Sequence, residues 1–399
     1  MDKTLGIYIH LPFCASRCAY CDFCSTAGLP RKMPRYQDAL LAHIRESTAL
    51  LEPYVIDTVY FGGGTPSYYG AKRITELLDA LKTHGNVLKS AEITVECNPD
   101  SMKPRELAAL RKAGVNRLSI GVQSANDDLL RLIGRRHNFA QAVSAVRMAR
   151  DAGFDNLSLD LIYGLPSQTP ADWADSLAKA LALRPEHLSC YGLKLEDGTP
   201  MARYRGSPLL PSDDEQADMY LYTVETLQSF DYAQYEISNF ALAGYESRHN
   251  LKYWNLDEYV SFGASAHSFV GDLRYSYIAD MQGYTDAVLG RSGAKLIDEY
   301  EECTPQSLAA EYVMLGMRTV RGISAREYRA IYLSDFENME QLLRQYAKRG
   351  WAVEEDGRWH FTPTGFLISN PLIGGLLEAQ AQEKLTAFPW LGEPELPED

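Results

Sequence analysis

The sequence predicts an α/β protein: an incomplete (β/α)6 barrel of TIM type, followed by a smaller α+β domain. Short β-rich runs alternate with longer segments whose apolar residues recur every three or four positions, the pattern of repeated β/α units on a parallel sheet. Six such units close most of a barrel without completing it. Beyond the proline-rich stretch between Pro200 and Pro211 the alternation stops, and helices followed by one hairpin take over.

The strands are expected at 5–10, 56–61, 91–97, 116–121, 155–161 and 187–195. Helices are expected at 35–51, 71–83, 104–113, 126–151 with a break near Arg136, and 171–183; Tyr36, Leu40, Leu41 and Ile44 illustrate the spacing. A helix over 213–230 and a strand in YEISNF follow. Farther on, 304–319 and 324–348 read as helices, and WAVEEDGRWHF reads as a hairpin turning at Asp356-Gly357, giving a winged-helix-like module. The domain division is then a partial barrel at 1–235, a connecting region at 236–300, a C-terminal domain at 301–380 and an acidic tail at 381–399.

Composition narrows the function classes. With 399 residues, 46% hydrophobic and 23% charged, the chain is an ordinary globular protein with a large core. A net charge of -14 and the lack of a basic helix argue against a nucleic-acid surface. No leader pattern and no apolar run of membrane-spanning length is present, so a cytoplasmic protein without membrane insertion is expected. Seven cysteines suit a reducing compartment, with Cys97, Cys190 and Cys303 read as small buried hydrophobes.

The chemistry concentrates in YIHLPFCASRCAYCDFCS, where Cys14, Cys18 and Cys21 form a CxxxCxxC loop. Thiolates are soft ligands, and three from one short loop suit iron and sulfur. Three ligands on a 4Fe-4S cube leave one iron open, which a reacting centre requires. Cys24 adds a CxxC with Cys21 that also reads as a zinc knuckle or redox pair; the reading adopted is a free thiol, because a fourth ligand would close the site. In a parallel barrel the polar residues at the C-terminal strand ends face the ligand. Those residues are Gly62, Gly63, Gly64 and Thr65 after the second strand, Glu96 at the third, Gln123 at the fourth and Asp160 at the fifth.

The CxxxCxxC loop after the first strand and GGGTP after the second resemble the radical S-adenosylmethionine (SAM) superfamily. That resemblance implies a 4Fe-4S cluster on Cys14, Cys18 and Cys21 whose fourth iron is chelated by SAM. It further implies SAM contacts from Gly63, Gly64 and Thr65, with Tyr20 beside the cluster loop, and resemblance to the coproporphyrinogen oxidase branch of the superfamily adds Tyr8, Glu96, Gln123, Arg135 and Asp160.

A second stretch, YESRHNLKYW, holds His249, Asn250, Tyr253 and Trp254, and FGASAHS holds His267. Imidazole is a common haem ligand and aromatic rings supply apolar area, but a histidine hydrogen-bonded in an aromatic core has the same local signature. The wording HNxxYW, with YEISNF and GYESRHN before it, is similar to the HemW branch of haem chaperones, and the likeness runs from Tyr8 to about Leu377. It implies haem as cargo for an acceptor haem protein, contacted by His249, His267, Tyr253 and Trp254. Two further readings stay open. One is an oxygen-independent coproporphyrinogen III dehydrogenase, in which a 5'-deoxyadenosyl radical drives decarboxylation of propionates. Against it stand the first strand's position so near Met1 and a Cys24 placed one residue too late for that family's extra cysteine. The other is a HemN-like radical SAM methyltransferase.

Overall fold

The computed structural model describes residues 3–290 and 295–383. The chain divides into two compact units, one made of residues 1–234, 238–252 and 257–302, the other of 235–237, 253–256 and 303–399. The acidic tail expected at 381–399 lies outside the described residues from 384 onward.

In the first unit the six expected strands form as β1 (Lys3–Leu11), β2 (Tyr54–Gly63), β3 (Asn86–Cys97), β4 (Arg117–Gln123), β5 (Leu157–Tyr163) and β6 (His187–Gly192), each parallel to the next. The helices between them are α1 (Met33–Glu46), α2 (Ala71–His84), α3 (Pro104–Ala113), α4 (Asp127–Leu132), α5 (Phe139–Asp151) and α6 (Pro170–Ala182), with α7 (Asp213–Ser229) after the proline-rich connection. The two-unit helix expected at 126–151 does break. Gly134 takes φ +77°, ending α4, and Asn138 starts α5 with a capping box to Gln141.

Every residue of β4 is buried, yet the strand alternates. Leu118, Ile120 and Val122 face the surrounding helices, while Arg117, Ser119, Gly121 and Gln123 point into a cavity. The strand therefore exchanges a continuous apolar interior for a polar one along the axis of the barrel.

The structure extends the sheet beyond the six expected strands. YEISNF yields two short strands, β7 (Ala233–Glu236) and β8 (Asn239–Ala241), the latter antiparallel to β6. A helix, α8 (Arg248–Asn255), carries the HNxxYW stretch. After it, β9 (Tyr259–Phe262) joins β1 as a seventh parallel strand, and β10 (His267–Val270), β11 (Leu273–Tyr277) and β12 (Ile297–Glu302) continue antiparallel, with α9 (Met281–Val288) between the last two. Strands β7 to β11, of three to five residues, are too short for periodicity to reveal, and β12 is exposed throughout and carries no apolar alternation.

The second unit holds α10 (Pro305–Gly316), α11 (Ala325–Tyr332), α12 (Glu337–Lys348), the hairpin β13 (Ala352–Glu355) and β14 (Arg358–Phe361), and α13 (Ser369–Gln380). The hairpin turns as expected, with Asp356 at φ 51° and Gly357 at φ 72°. The expected helix over 324–348 is two helices, because Leu333 closes the first in a left-handed cap. Ile323 pairs with Trp359 beside the hairpin, and at Gly322 any Cβ would meet the Trp359 carbonyl at 2.0 Å. Among the described residues no helix is long and apolar enough to cross a membrane.

Candidate functional site

A cavity of about 420 Å³ opens at the C-terminal ends of the barrel strands, and its walls include Cys14, Cys18, Cys21, Tyr20, Gly63, Gly64, Thr65, Glu96, Gln123, Arg135 and Asp160. Eleven residues scattered over 150 positions meet there because the polar positions at consecutive strand ends converge on one axis.

The cysteine loop is pinned by its backbone. Ala19 donates to the Ile133 carbonyl (2.9 Å) and accepts from the Met201 amide (3.1 Å), while Cys21 N–H reaches the Cys18 carbonyl (3.3 Å). Phe13–Cys14 pairs with Thr26–Ala27 to close the base of the loop. Burial pushes the thiols of Cys14 and Cys21 up. Two donors approach sulfur from outside the loop: Thr65 Oγ1 lies 3.5 Å from Cys14 Sγ, and Arg135 Nη1 lies 3.5 Å from Cys18 Sγ. Donors aimed at sulfur stabilise the thiolate state that metal ligation needs. Cys24 does not line the cavity; its Sγ points to the Ala279 carbonyl at 3.6 Å and its own carbonyl contacts His10 Nε2 at 2.8 Å. No three His, Cys, Asp or Glu side chains among the described residues could hold a single metal ion. A cube spreads three thiolates over three irons, so it does not require such convergence.

The opposite wall suits a polar organic ligand. Gly63 sits at φ +106°, and a Cβ there would meet the His10 ring at 2.5 Å; at Gly64 it would meet the Phe13 amide at 2.7 Å. Only glycine lets the backbone run this close to the loop. Glu96 accepts from the Gly63 amide (3.1 Å) and the Tyr60 hydroxyl (3.0 Å). Burial, with a smaller contribution from Asp160, lifts its carboxyl to about 7. Asp160, raised by burial as well, accepts from the Ser119 hydroxyl at 3.1 Å. Arg135 Nη2 binds Asn98 Oδ1 (2.8 Å) and the Gly121 carbonyl (2.6 Å), while its Nε is buried without a hydrogen-bond partner. Gln123 takes φ 68° after a register shift in β4, which turns the strand end toward the cavity. Three free thiols on one side, and a glycine cradle with two carboxylates and an arginine on the other, fit a cluster and an amino-acid nucleoside together.

Several expected residues lie elsewhere. Tyr8 stands behind the wall, its hydroxyl 3.0 Å from His10 Nδ1 and its ring stacked on Tyr60. His249 lies behind the cavity wall. The residue is 1% exposed, its Nδ1 lies 2.8 Å from Thr58 Oγ1, and its ring stacks on Tyr60 with centroids 5.2 Å apart. Burial drives its imidazolium form out, lowering its pKa to about 3. His267 is exposed on β10, and Tyr253 and Trp254 belong to the second unit, so the four haem candidates do not assemble into one site within the barrel unit. Asn250, from the same motif, does line the cavity. The lining residues Tyr60, Asn98, Arg117, Ser119, Ser189 and Tyr191 were not anticipated either, although polar residues at alternate positions of LSI-type strands were a usable signal.

A partial parallel barrel with a CxxxCxxC loop at its mouth defines a radical SAM protein, and the model of the Radical SAM superfamily matches residues 8–180, with the HemN C-terminal domain at 303–368. The heme chaperone HemW of Bacillus subtilis is 34% identical over 93% of this chain and 98% of its own length. HemW of Escherichia coli is 37% identical over 67% of this chain and 70% of its own. Among solved structures, coproporphyrinogen III oxidase (HemN) from Escherichia coli, a radical SAM enzyme, superposes with a TM-score of 0.82 at 24% identity, covering 96% of this chain and 91% of that one. The chain belongs to the HemW family.

Proposed function

We propose that this protein is a haem chaperone that carries a 4Fe-4S cluster and SAM in its barrel and passes haem to an acceptor haem protein. The observation that carries the reading is the conjunction of a HemW likeness across more than nine-tenths of the chain with a cavity bringing Cys14, Cys18 and Cys21 opposite Gly63, Glu96 and Asp160. Cys14, Cys18 and Cys21 would hold the cluster. Gly63, Gly64, Thr65, Glu96, Gln123, Arg135 and Asp160 would hold SAM, with Tyr20 against the loop. The cluster, when bound, supplies an iron with an open coordination position and an electron source. The protein's share is to exclude water, hold the thiolates and orient the ligand. The buried His249 is better read as support for the wall behind the cavity than as a ligand to haem, and the exposed His267 is the imidazole of the pair that an external macrocycle can reach.

The test is a haemin titration of the cluster-reconstituted protein followed at the Soret band, then mixing with an apo-acceptor. Saturable one-to-one binding and transfer support the reading. Absence of specific binding in the wild type would remove it.

A further inference from the structure

Arg117 opens β4, is 2% exposed and lines the cavity from its floor. Its Nε is buried without a hydrogen-bond partner, and no hydrogen bond or ion pair holds its guanidinium among the described residues. A buried charge without a partner is costly, so a fold retains one where a bound group or a fixed field makes use of it. The other arginine at the inner wall, Arg135, already donates to Asn98, Gly121 and Cys18.

The groups facing Glu96 are the Tyr60 hydroxyl from β2, the Gly63 amide beyond it, Asp160 from β5 and Arg117 from β4. Two carboxyl groups thus share one desolvated space and disfavour each other's charge, and Arg117 is the cation that opposes this for both. It does so without a hydrogen bond to either, so each carboxylate oxygen, already accepting from Tyr60, Gly63 or Ser119, keeps a second lone pair for a ligand.

We propose that Arg117 is a positioning residue: its fixed charge at the barrel floor keeps Glu96 and Asp160 ionised and free to accept hydrogen bonds from the ammonium and hydroxyl groups of a cationic nucleoside ligand. The proposal rests on the reading of the cavity as a SAM site. An arginine suits the task because its guanidinium stays charged at every relevant pH, where a buried lysine or histidine would neutralise.

Equilibrium dialysis of labelled SAM against the full-length, cluster-reconstituted protein from pH 6 to 9 tests it. In the wild type, affinity falls as pH drops below about 7, where Glu96 takes up its proton. In Arg117→Met and Arg117→Gln that midpoint moves up by about one unit, giving roughly fivefold weaker binding at pH 7 and near-wild-type binding at pH 9. Arg117→Lys, whose ammonium burial can partly neutralise, gives a midpoint at or between those of the wild type and the neutral variants. Neutral variants that trace the wild-type curve, or that lose affinity by one factor at every pH, overturn the proposal. So does an Arg117→Lys curve whose midpoint lies below that of the wild type, or whose loss persists unchanged at pH 9, which decides the matter even where the neutral variants do not fold. No SAM binding in the wild type would overturn the cofactor reading itself, and this inference with it.

Discussion

The cysteine loop and the HNxxYW helix stood out equally in the sequence, and the fold treats them oppositely. Cys14, Cys18 and Cys21 lie on a short loop whose spacing is itself the geometry of the site, so all three reach the cavity. The histidine of the second stretch sits on α8, where one turn decides between core and surface; His249 falls inside and Asn250 reaches the cavity wall. A ligand set held by loop spacing is read directly, whereas a motif on a helix is read only once its buried face is known.

The sharpest way to break this contrast is at the loop. Cys14→Ala, Cys18→Ala or Cys21→Ala should each abolish the broad visible absorption of the reconstituted protein, while Cys24→Ala leaves it nearly unchanged, since its thiol faces the Ala279 carbonyl. Retention of the band in Cys18→Ala would sink the assignment of that residue.

At His249 the expected effect is on folding. Removing a buried ring that bonds Thr58 and stacks on Tyr60 leaves a cavity and an unpaired hydroxyl, costing about 2–4 kcal/mol. Urea unfolding should record that loss for His249→Ala, and the Soret titration of the folded fraction should stay within about threefold of wild type. A selective collapse of haem affinity at unchanged stability would restore the ligand role.

Acid should weaken the same core. Burial lowers His43 and His137 to about 4 and His249 to about 3, so all three are neutral in the fold. Their folded pKa values lie below the ordinary 6.5; the stability they contribute is present above that pH and is lost as pH falls toward 4. Each withdraws about 1.4 kcal/mol per unit in that window. Glu96, raised to about 7, works the other way: its stabilising acid form is present at low pH and lost as pH rises through 7. The histidines outnumber it, so urea midpoints should fall between pH 7.5 and 5.5, less steeply in His249→Gln. A flat profile would show these rings to be solvated.

How much of this was legible follows the same rule of locality. The six parallel strands, the helix break near Arg136 and the turn at Asp356-Gly357 were readable because each is made by adjacent residues: an apolar run, a left-handed Gly134 followed by the Asn138 capping box, two positions at positive φ. The strand-end residues Glu96, Gln123 and Asp160 were readable once a parallel barrel was assumed. The short strands β9–β12 were not, since the first is defined by pairing with distant β1 and the rest are short or exposed runs without an apolar alternation. Arg117 was missed for a related reason: at the start of a strand it reads as a surface charge, and only the closed barrel shows that its side chain runs inward.

Asn250 offers the smallest effect and the finest test of the contrast between loop and helix. It is half-buried and lines the cavity, while its neighbour in sequence, His249, is sealed behind the wall. Its backbone amide is tied to Ser247 Oγ at 3.4 Å, which fixes the first turn of α8 independently of the side chain. Asn250→Ala should therefore leave stability within about 1 kcal/mol of wild type, as for a substitution that opens no sealed core. A carboxamide that contacts a bound polar ligand contributes about 0.5–1.5 kcal/mol, so SAM affinity should weaken by about two- to tenfold. Equilibrium dialysis beside urea unfolding separates the outcomes. Weaker binding at constant stability makes the motif bipartite, one residue supporting the wall and the next touching the ligand. Unchanged binding would assign the whole motif to packing, and the helix would then contribute nothing to the cavity except its shape.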